Sequence, residues 1–400
     1  MEDQKSDYNA RSLELHKQLK GKIEIRSKIE VNTTDELSLV YSPGVAEPCL
    51  AIAKNPKLAY SYTMKGNSVA VVTDGSAVLG LGNIGAAASI PVMEGKAMLF
   101  KKFANINAFP ICLDTQDVDE IVETVKRIAP VFGGVNLEDI SAPRSFEIEE
   151  RLQDIGIPVF HDDQHGTAIV TLAGLINAAK VTGKKLEDLK VVVNGAGAAG
   201  IAISKLLRCI SQDPSICIPV AGIVVCDSKG IIHSEREDLT ETKRELLQYS
   251  NKRNKKGSLR EALVSADVFI GVSSGNILNH EDIRTMAKDP IIFALANPTP
   301  EISPKEAIKG GAIVVATGRS DYPNQVNNVL AFPGIFRGAL DAQAPAITPE
   351  MKLAAAYAIA DALPNPNHEQ IIPAALDMEV TKKVATAVCK AYKERLTPQL

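Results

Sequence analysis

The sequence predicts an α/β fold in two domains: an N-terminal α/β domain and a C-terminal Rossmann dinucleotide-binding domain with a parallel sheet. Three observations carry that expectation. Short β-branched runs alternate with helix-like stretches for most of the length, as in βα units. At 400 residues the chain exceeds what one hydrophobic core usually serves. The runs also fall into two series, divided by Gly166–Val181 (GTAIVTLAGLINAAKV), which is apolar all round and reads as a buried helix. The boundary is expected at its start, giving domains 1–165 and 166–400.

Val69–Thr73, Phe109–Leu113 and Ile157–Phe160 are the strands of the first series, and Val118–Ile128 and Ser145–Ile155 are helices between them. The second series is Lys190–Val193, Ile223–Cys226, Val268–Val272, Ile291–Ala296 and Ile313–Ala316, each of buried parallel-strand type. The Ala-rich stretches Pro349–Leu363 and Met378–Leu396 should be helices that pack back across the boundary.

Hydrophobic residues at 45% and charged residues at 23% are ordinary for a globular protein. A net charge of −4 leaves no footprint for nucleic acid or an anionic membrane. The basic tract Lys252–Lys256 has almost no aromatic interleaving and reads as a solvated loop. The N-terminus lacks the pattern of a secretory signal, and no apolar run is long enough to span a membrane. Cys49, Cys112, Cys209, Cys217, Cys226 and Cys389 show no C-x-x-C spacing and read as buried thiols in a reducing compartment, not as a disulfide frame or a zinc site, hence a cytoplasmic protein.

The motif G-x-G-x-x-G occurs twice. The copy at Gly195, Gly197 and Gly200, with Ala198 and Ala199 between, follows the strand-like LKVVVN and opens an amphipathic helix. The next strand ends in Asp227, placed to bind ribose hydroxyls. Such a turn lets a pyrophosphate approach a helix N-terminus. Asp227 lies 32 residues after Gly195, and Ser211–Pro219 reads as an insertion that explains the excess. The copy at Gly80, Gly82 and Gly85 lacks the acidic strand end, and Pro91 is expected to interrupt the following helix early. Its glycines form either a purely structural turn or a loop where backbone approaches a ligand or the other domain.

Two acidic pairs stand at the ends of apolar runs, Glu138–Asp139 and Asp162–Asp163. Clustered carboxylates repel, and a divalent cation relieves them; an all-oxygen set suits Mg²⁺ or Mn²⁺ better than Zn²⁺. The alternative is surface acidity or helix capping. His161-Asp-Asp-Gln-His165 superficially matches the zinc-protease helix H-E-x-x-H, but it follows a strand, and Asp replaces Glu.

With these residues in view the chain resembles the malic enzymes of short, prokaryotic-type length. The resemblance runs through YSPGV (41–45), TDGSAVLGLGNIG (73–85), PVMEGKAMLFK (91–101), NLEDI (136–140), Phe160–Ala168, the Gly195 fingerprint, FALANPT (293–299) and QVNNVLAFPG (325–334). It implies oxidative decarboxylation of L-malate to pyruvate and CO₂ with NAD(P)⁺. Glu138, Asp139 and Asp163 would hold Mg²⁺ or Mn²⁺. Lys96 would be the base for the C2 hydroxyl, and burial beside the metal and the nicotinamide cation would lower its pKa. Tyr41 would protonate C3, Asp162 would adjust Lys96 or the metal, and Asn297 and Asn328 would bind the departing carboxylate, with Asn297 also beside the cofactor. Where larger relatives carry an arginine for malate, this chain has Ala77.

Asp227 favours NAD by repelling a 2′-phosphate, and Lys229 offsets it; the balance leans to NAD over NADP. The family resemblance implies a homo-oligomer, a dimer or higher, acting on small molecules. Two other readings compete: malolactic chemistry, in which lactate leaves, and a catalytically silent nucleotide-binding subunit.

Overall fold

The computed structural model describes residues 2–78 and 80–396. Strands β1 (Ser68–Thr73), β2 (Asn107–Cys112), β3 (Gly134–Leu137) and β4 (Val159–His161) form a parallel sheet in the order β2-β1-β3-β4. A second sheet holds β5 (Lys190–Asn194), β6 (Gly222–Asp227), β7 (Gly230–Ile231), β8 (Val268–Gly271), β9 (Ile291–Ala294) and β10 (Val314–Thr317), in the order β10-β9-β8-β5-β6-β7. All its pairings are parallel except the short β6–β7 hairpin. Strand order reverses beside β5, where doubly wound sheets open a crevice at their C-terminal edge.

Helix Val118–Ile128 forms as its periodicity predicts, burying Ile121, Val122 and Val125 after an Asp117 cap. The C-terminal helices run Pro349–Asp361 and Met378–Leu396. The latter packs on helix Phe332–Asp341 and reaches back to helix Ala86–Ala104 of the first sheet. Phe100 stacks edge-on against Phe332 and Phe336, at ring separations of 4.8 and 5.3 Å. One apolar cluster accordingly contains Val69 and Phe100 from the first series, Val191 and Ile270 from the second, and Val384 from the C-terminal helix.

Three expectations need correction. Pro91 does not interrupt its helix, which continues from Ala86 to Ala104. Proline deprives the Ala87 carbonyl of its partner, and Ala87 is exposed, so water can replace the bond. The buried helix starts at Asp162, not Gly166; β4 feeds straight into it, and two acidic residues in the first turn suit the positive helix end. Cys209 and Cys217 are joined in a disulfide with Cα atoms 5.8 Å apart and Cys49 is exposed, so the cysteines are not uniformly buried thiols and give no argument for a reducing compartment. No helix among the described residues is long and apolar enough to cross a membrane.

Candidate active site

Register assembles the site. In the β3–β4 pair Leu137 lies opposite His161, so Glu138–Asp139 and Asp162–Asp163 leave the sheet side by side at its C-terminal edge. Ligand oxygens of Glu138, Asp139 and Asp163 lie within 4.8 Å of one another. Asp139 takes a left-handed backbone (φ 53°), and its N–H donates to Asp163 Oδ2 at 2.8 Å. The Asn136 amide donates to Glu138 Oε2 at 2.8 Å. Three converging carboxylates of this kind form an all-oxygen set that fits a hard divalent cation.

Lys96 comes from helix Ala86–Ala104 and is 7% exposed. Its Nζ donates to Glu138 Oε1 at 2.9 Å and to Asp162, and stands 4.0 Å from the centre of the Phe332 ring. Burial pushes the Asp162 carboxyl up to about 8 despite the lysine. Glu138 and Asp163 are raised by burial too. For Lys96 burial acts downward, but the charges of Asp162 and Glu138 outweigh it and hold the ammonium above the ordinary lysine value. Among the protein's own groups the sign is therefore opposite to the one expected from burial beside cations.

Gly166 explains part of the FHDDQHGT sequence. A Cβ there would fall 1.8 Å from Asp162 Oδ1, so only glycine leaves the Asp162 carboxylate its place one helical turn earlier. The second series contributes too, since the Asn328 amide donates to Asp162. Asn297 follows β9 and is exposed. A Cβ on Gly80 would lie 2.7 Å from the Asn297 carbonyl oxygen and from Pro298 Cδ. Of the two readings of the first glycine motif, close approach to the other half of the chain is the one observed for Gly80. His165 pairs with buried Glu149 at 2.9 Å and His161 is fully buried; neither belongs to the three-carboxylate group.

The second fingerprint lies where the strand reading places it. β5 ends at Asn194, the turn passes through Gly195 and Gly197, and helix Ala198–Leu207 begins at Ala198, with Ala199 and Gly200 in its first turn. Gly195, Gly197, Asp227, Lys229 and Lys243 line a cleft of about 740 Å³, large enough for part of a dinucleotide. Asp227 is not alone. Arg236 grips it with two bonds of 2.8 and 3.0 Å and Lys243 with one of 2.6 Å. Despite partial burial, these contacts hold its pKa down at about 2. The Lys229 ammonium is on Asp238, 2.8 Å away. Sequence reasoning missed Arg236 and Lys243, which arrive from a loop and a short helix without a motif. It also missed Glu301, fully buried and accepting the backbone N–H groups of Ser273 and Ala296 at 3.0 Å each, which ties together the segments after β8 and β9.

Tyr41 is not brought into the cluster. It is 68% exposed, and its hydroxyl makes no hydrogen bond among the described residues. At Ala77 the backbone N–H donates to the Asp139 carbonyl at 2.9 Å. A cation stands by the same loop, where Arg144 pairs with buried Asp74 at 2.7 Å.

Residues 20–153 match the family model of the malic enzyme N-terminal domain, and residues 164–393 that of the malic enzyme NAD-binding domain. The chain belongs to the malic enzyme family. It is 59% identical to the bifunctional malic/malolactic enzyme of Bacillus subtilis (strain 168), over 96% of this chain and 92% of that one. It is 50% identical to the NADP-dependent malic enzyme of Haemophilus influenzae, over 94% of this chain but only 51% of that longer relative. The crystal structure of the NAD-dependent malic enzyme of Thermotoga maritima superposes with a TM-score of 0.90 at 51% identity, covering 94% and 98% of the two chains. Malic enzymes of both cofactor preferences are thus among its relatives, and the two-domain α/β fold is theirs.

Proposed function

We propose that the chain oxidises and decarboxylates L-malate to pyruvate where its two sheets meet, residues 1–165 supplying the acid–base groups and residues 166–400 the dinucleotide cleft. The observation that carries this is the buried Lys96–Glu138–Asp162 cluster beside the three-carboxylate group, in a chain of this family. When bound, Mg²⁺ or Mn²⁺ at Glu138, Asp139 and Asp163 supplies Lewis acidity toward the substrate oxygens, and NAD(P)⁺ accepts the hydride.

The chain's own residues move one proton. Lys96 accepts it from the C2 hydroxyl, and Tyr41 delivers one to C3 after CO₂ has left. Lys96 reaches the amine form that a base requires when the charge of Glu138 and Asp163 is taken up elsewhere. Asp162, fixed by Asn328 and by the space at Gly166, aims the lysine. Asn297 and Asn328 orient the carboxylate that departs.

Cofactor choice rests on the balance around Asp227. Its repulsion of a 2′-phosphate is largely spent on Arg236 and Lys243, so we infer a preference for NAD of tenfold or less, with NADP also used. The test supplies malate with each cofactor, with and without Mn²⁺, and follows reduced cofactor, pyruvate and lactate together. Pyruvate and reduced cofactor in equal amounts, lost on chelation, are expected. Lactate without net cofactor reduction would instead establish malolactic chemistry, which the name of the Bacillus relative keeps in view.

A further inference from the structure

One cavity shares no residue with either the three-carboxylate group or the dinucleotide cleft. Its volume is about 400 Å³, within the range of small-molecule sites. Four helices from both halves of the chain meet around it. Helix Arg144–Arg151 brings Glu149, helix Asp162–Thr182 brings Gln164 and His165, helix Ala198–Leu207 brings Ile201, and helix Pro349–Asp361 brings Lys352. The loop that the Cys209–Cys217 disulfide closes adds Ile210.

The polar groups of this cavity are unequally satisfied. Glu149 has its partners: His165 lies 2.9 Å away, and the His161 N–H donates to it at 3.2 Å. Two donors have none. Gln164 is 4% exposed, yet its Nε2 meets no acceptor among the described residues, an arrangement that native structures seldom leave unanswered. The Lys352 ammonium likewise makes no ion pair or hydrogen bond among the described residues. Burial pushes Lys352 below the ordinary lysine value, and the charge of Glu149 offsets only part of that. The Lys352 charge acts on both Glu149 and His165, so the ammonium stands close to the turn that carries Gln164.

An occupant must therefore bring an acceptor, and a negative one. A carboxylate offers two oxygens for two donors and a single charge for one ammonium. Phosphate brings more oxygens and more charge than these two groups can answer, and Glu149 would repel the excess. The other charged lining residues, exposed Glu150 and partly exposed Lys205, oppose one another in sign. Phe146, Ile169, Ile201, Leu206 and Ile210 give the same cavity an apolar wall, which malate, with two carboxylates and a hydroxyl, does not suit. We infer that this cavity binds a small monocarboxylate, its charged end held by Lys352 and Gln164 and its apolar body against Phe146, Ile169 and Ile201.

Calorimetric titration of the full chain in the presence of Mn²⁺ tests this, with hexanoate, hexanol and inorganic phosphate as the probes. Hexanoate should saturate one site per chain, and hexanol, which has the body without the charge, should bind at least about tenfold more weakly. Lys352→Met should lose about tenfold or more in hexanoate affinity, and Lys352→Arg, which keeps the charge, should retain most of it. Lys352→Gln takes the place of Lys352→Met if that chain does not fold. Bound hexanoate should also raise the Tm of the wild type more than that of Lys352→Met. A wild type that does not bind hexanoate overturns the proposal. Equal binding by Lys352→Met does so too, since the carboxylate is then held elsewhere, at the acidic cluster or on the surface. Phosphate that binds as tightly as hexanoate overturns the assignment to a monocarboxylate.

Discussion

Lys96→Ala tests the centre of the site, and its cost can be worked from the contacts. The side chain is 7% exposed and pairs with Glu138 and Asp162, themselves 8% and 0% exposed. Removing one partner of a buried ion pair costs on the order of 3–5 kcal/mol. At about 1.2 °C per kcal/mol for a cooperative unit of 400 residues, Tm should fall by roughly 4–6 °C. The loss is limited because the orphaned carboxyls can take up protons, and burial already pushes Asp162 up to about 8 with the lysine present. That upward shift sets the sign of the pH dependence. A carboxyl whose folded pKa is raised holds a proton that the unfolded chain releases, so its penalty is absent below the unfolded value and grows as pH rises toward the folded one. Each extra proton held adds about 1.4 kcal/mol per pH unit. Losing the lysine raises these carboxyls further, so the variant keeps protons that the wild type releases as pH climbs through about 8; its Tm deficit should widen there, and Mn²⁺ should narrow it. Scanning calorimetry with and without Mn²⁺ measures both effects. Turnover, assayed where Mn²⁺ has restored the fold, should still be down at least about 100-fold. A folded variant with near-wild-type turnover would falsify the base role, and a deficit flat with pH would show that Lys96 does not neutralise these carboxylates.

Three further outcomes are expected. Gly166→Ala should displace the Asp162 carboxylate, lowering stability by about 1–3 kcal/mol and turnover by more than cofactor affinity; unchanged kcat would mean that Asp162 does not aim the lysine. Asp163→Asn should weaken Mn²⁺ binding in calorimetric titration by about 10-fold or more, whereas unaltered affinity would leave the three carboxylates structural. Lys243→Gln removes a cation from the ribose end of the cleft, worth about 1–4 kcal/mol at 4 Å depending on screening. Its kcat/KM with NADP should drop about tenfold or more while that with NAD holds, and an equal loss with both cofactors would make Lys243 a structural partner of Asp227.

Strands and helices with a strong period were legible. Val118–Ile128 and Met378–Leu396 form over the predicted residues, because amphipathic spacing and length leave little choice. β3 was not read as a strand, since Gly134–Leu137 is four residues long and includes a buried asparagine. The acidic pairs were legible as the ends of apolar runs, and the β3–β4 pairing makes them neighbours because parallel strands align their ends. Lys96 was visible only through resemblance; in an otherwise apolar helix its charge had no partner nearby in sequence, the partners lying 42 and 66 residues away. The partners of Asp227 were hidden for a similar reason, since Arg236 and Lys243 belong to a stretch with no periodicity. Pro91 misled because a breaker rule ignores whether the freed carbonyl can reach water.

The apolar cluster that joins Val69, Phe100, Val191, Ile270 and Val384 bears on how the molecule comes apart. Whatever boundary the sequence leads one to expect near residue 165, no seam divides the interior at that point. Melting one sheet would strip the other of Phe332 and Phe336 and of the C-terminal helix, so neither half has an independent transition of its own. Heat or denaturant should therefore remove the dinucleotide cleft and the carboxylate cluster in the same step, with tryptic fragments cut between the sheets failing to retain either.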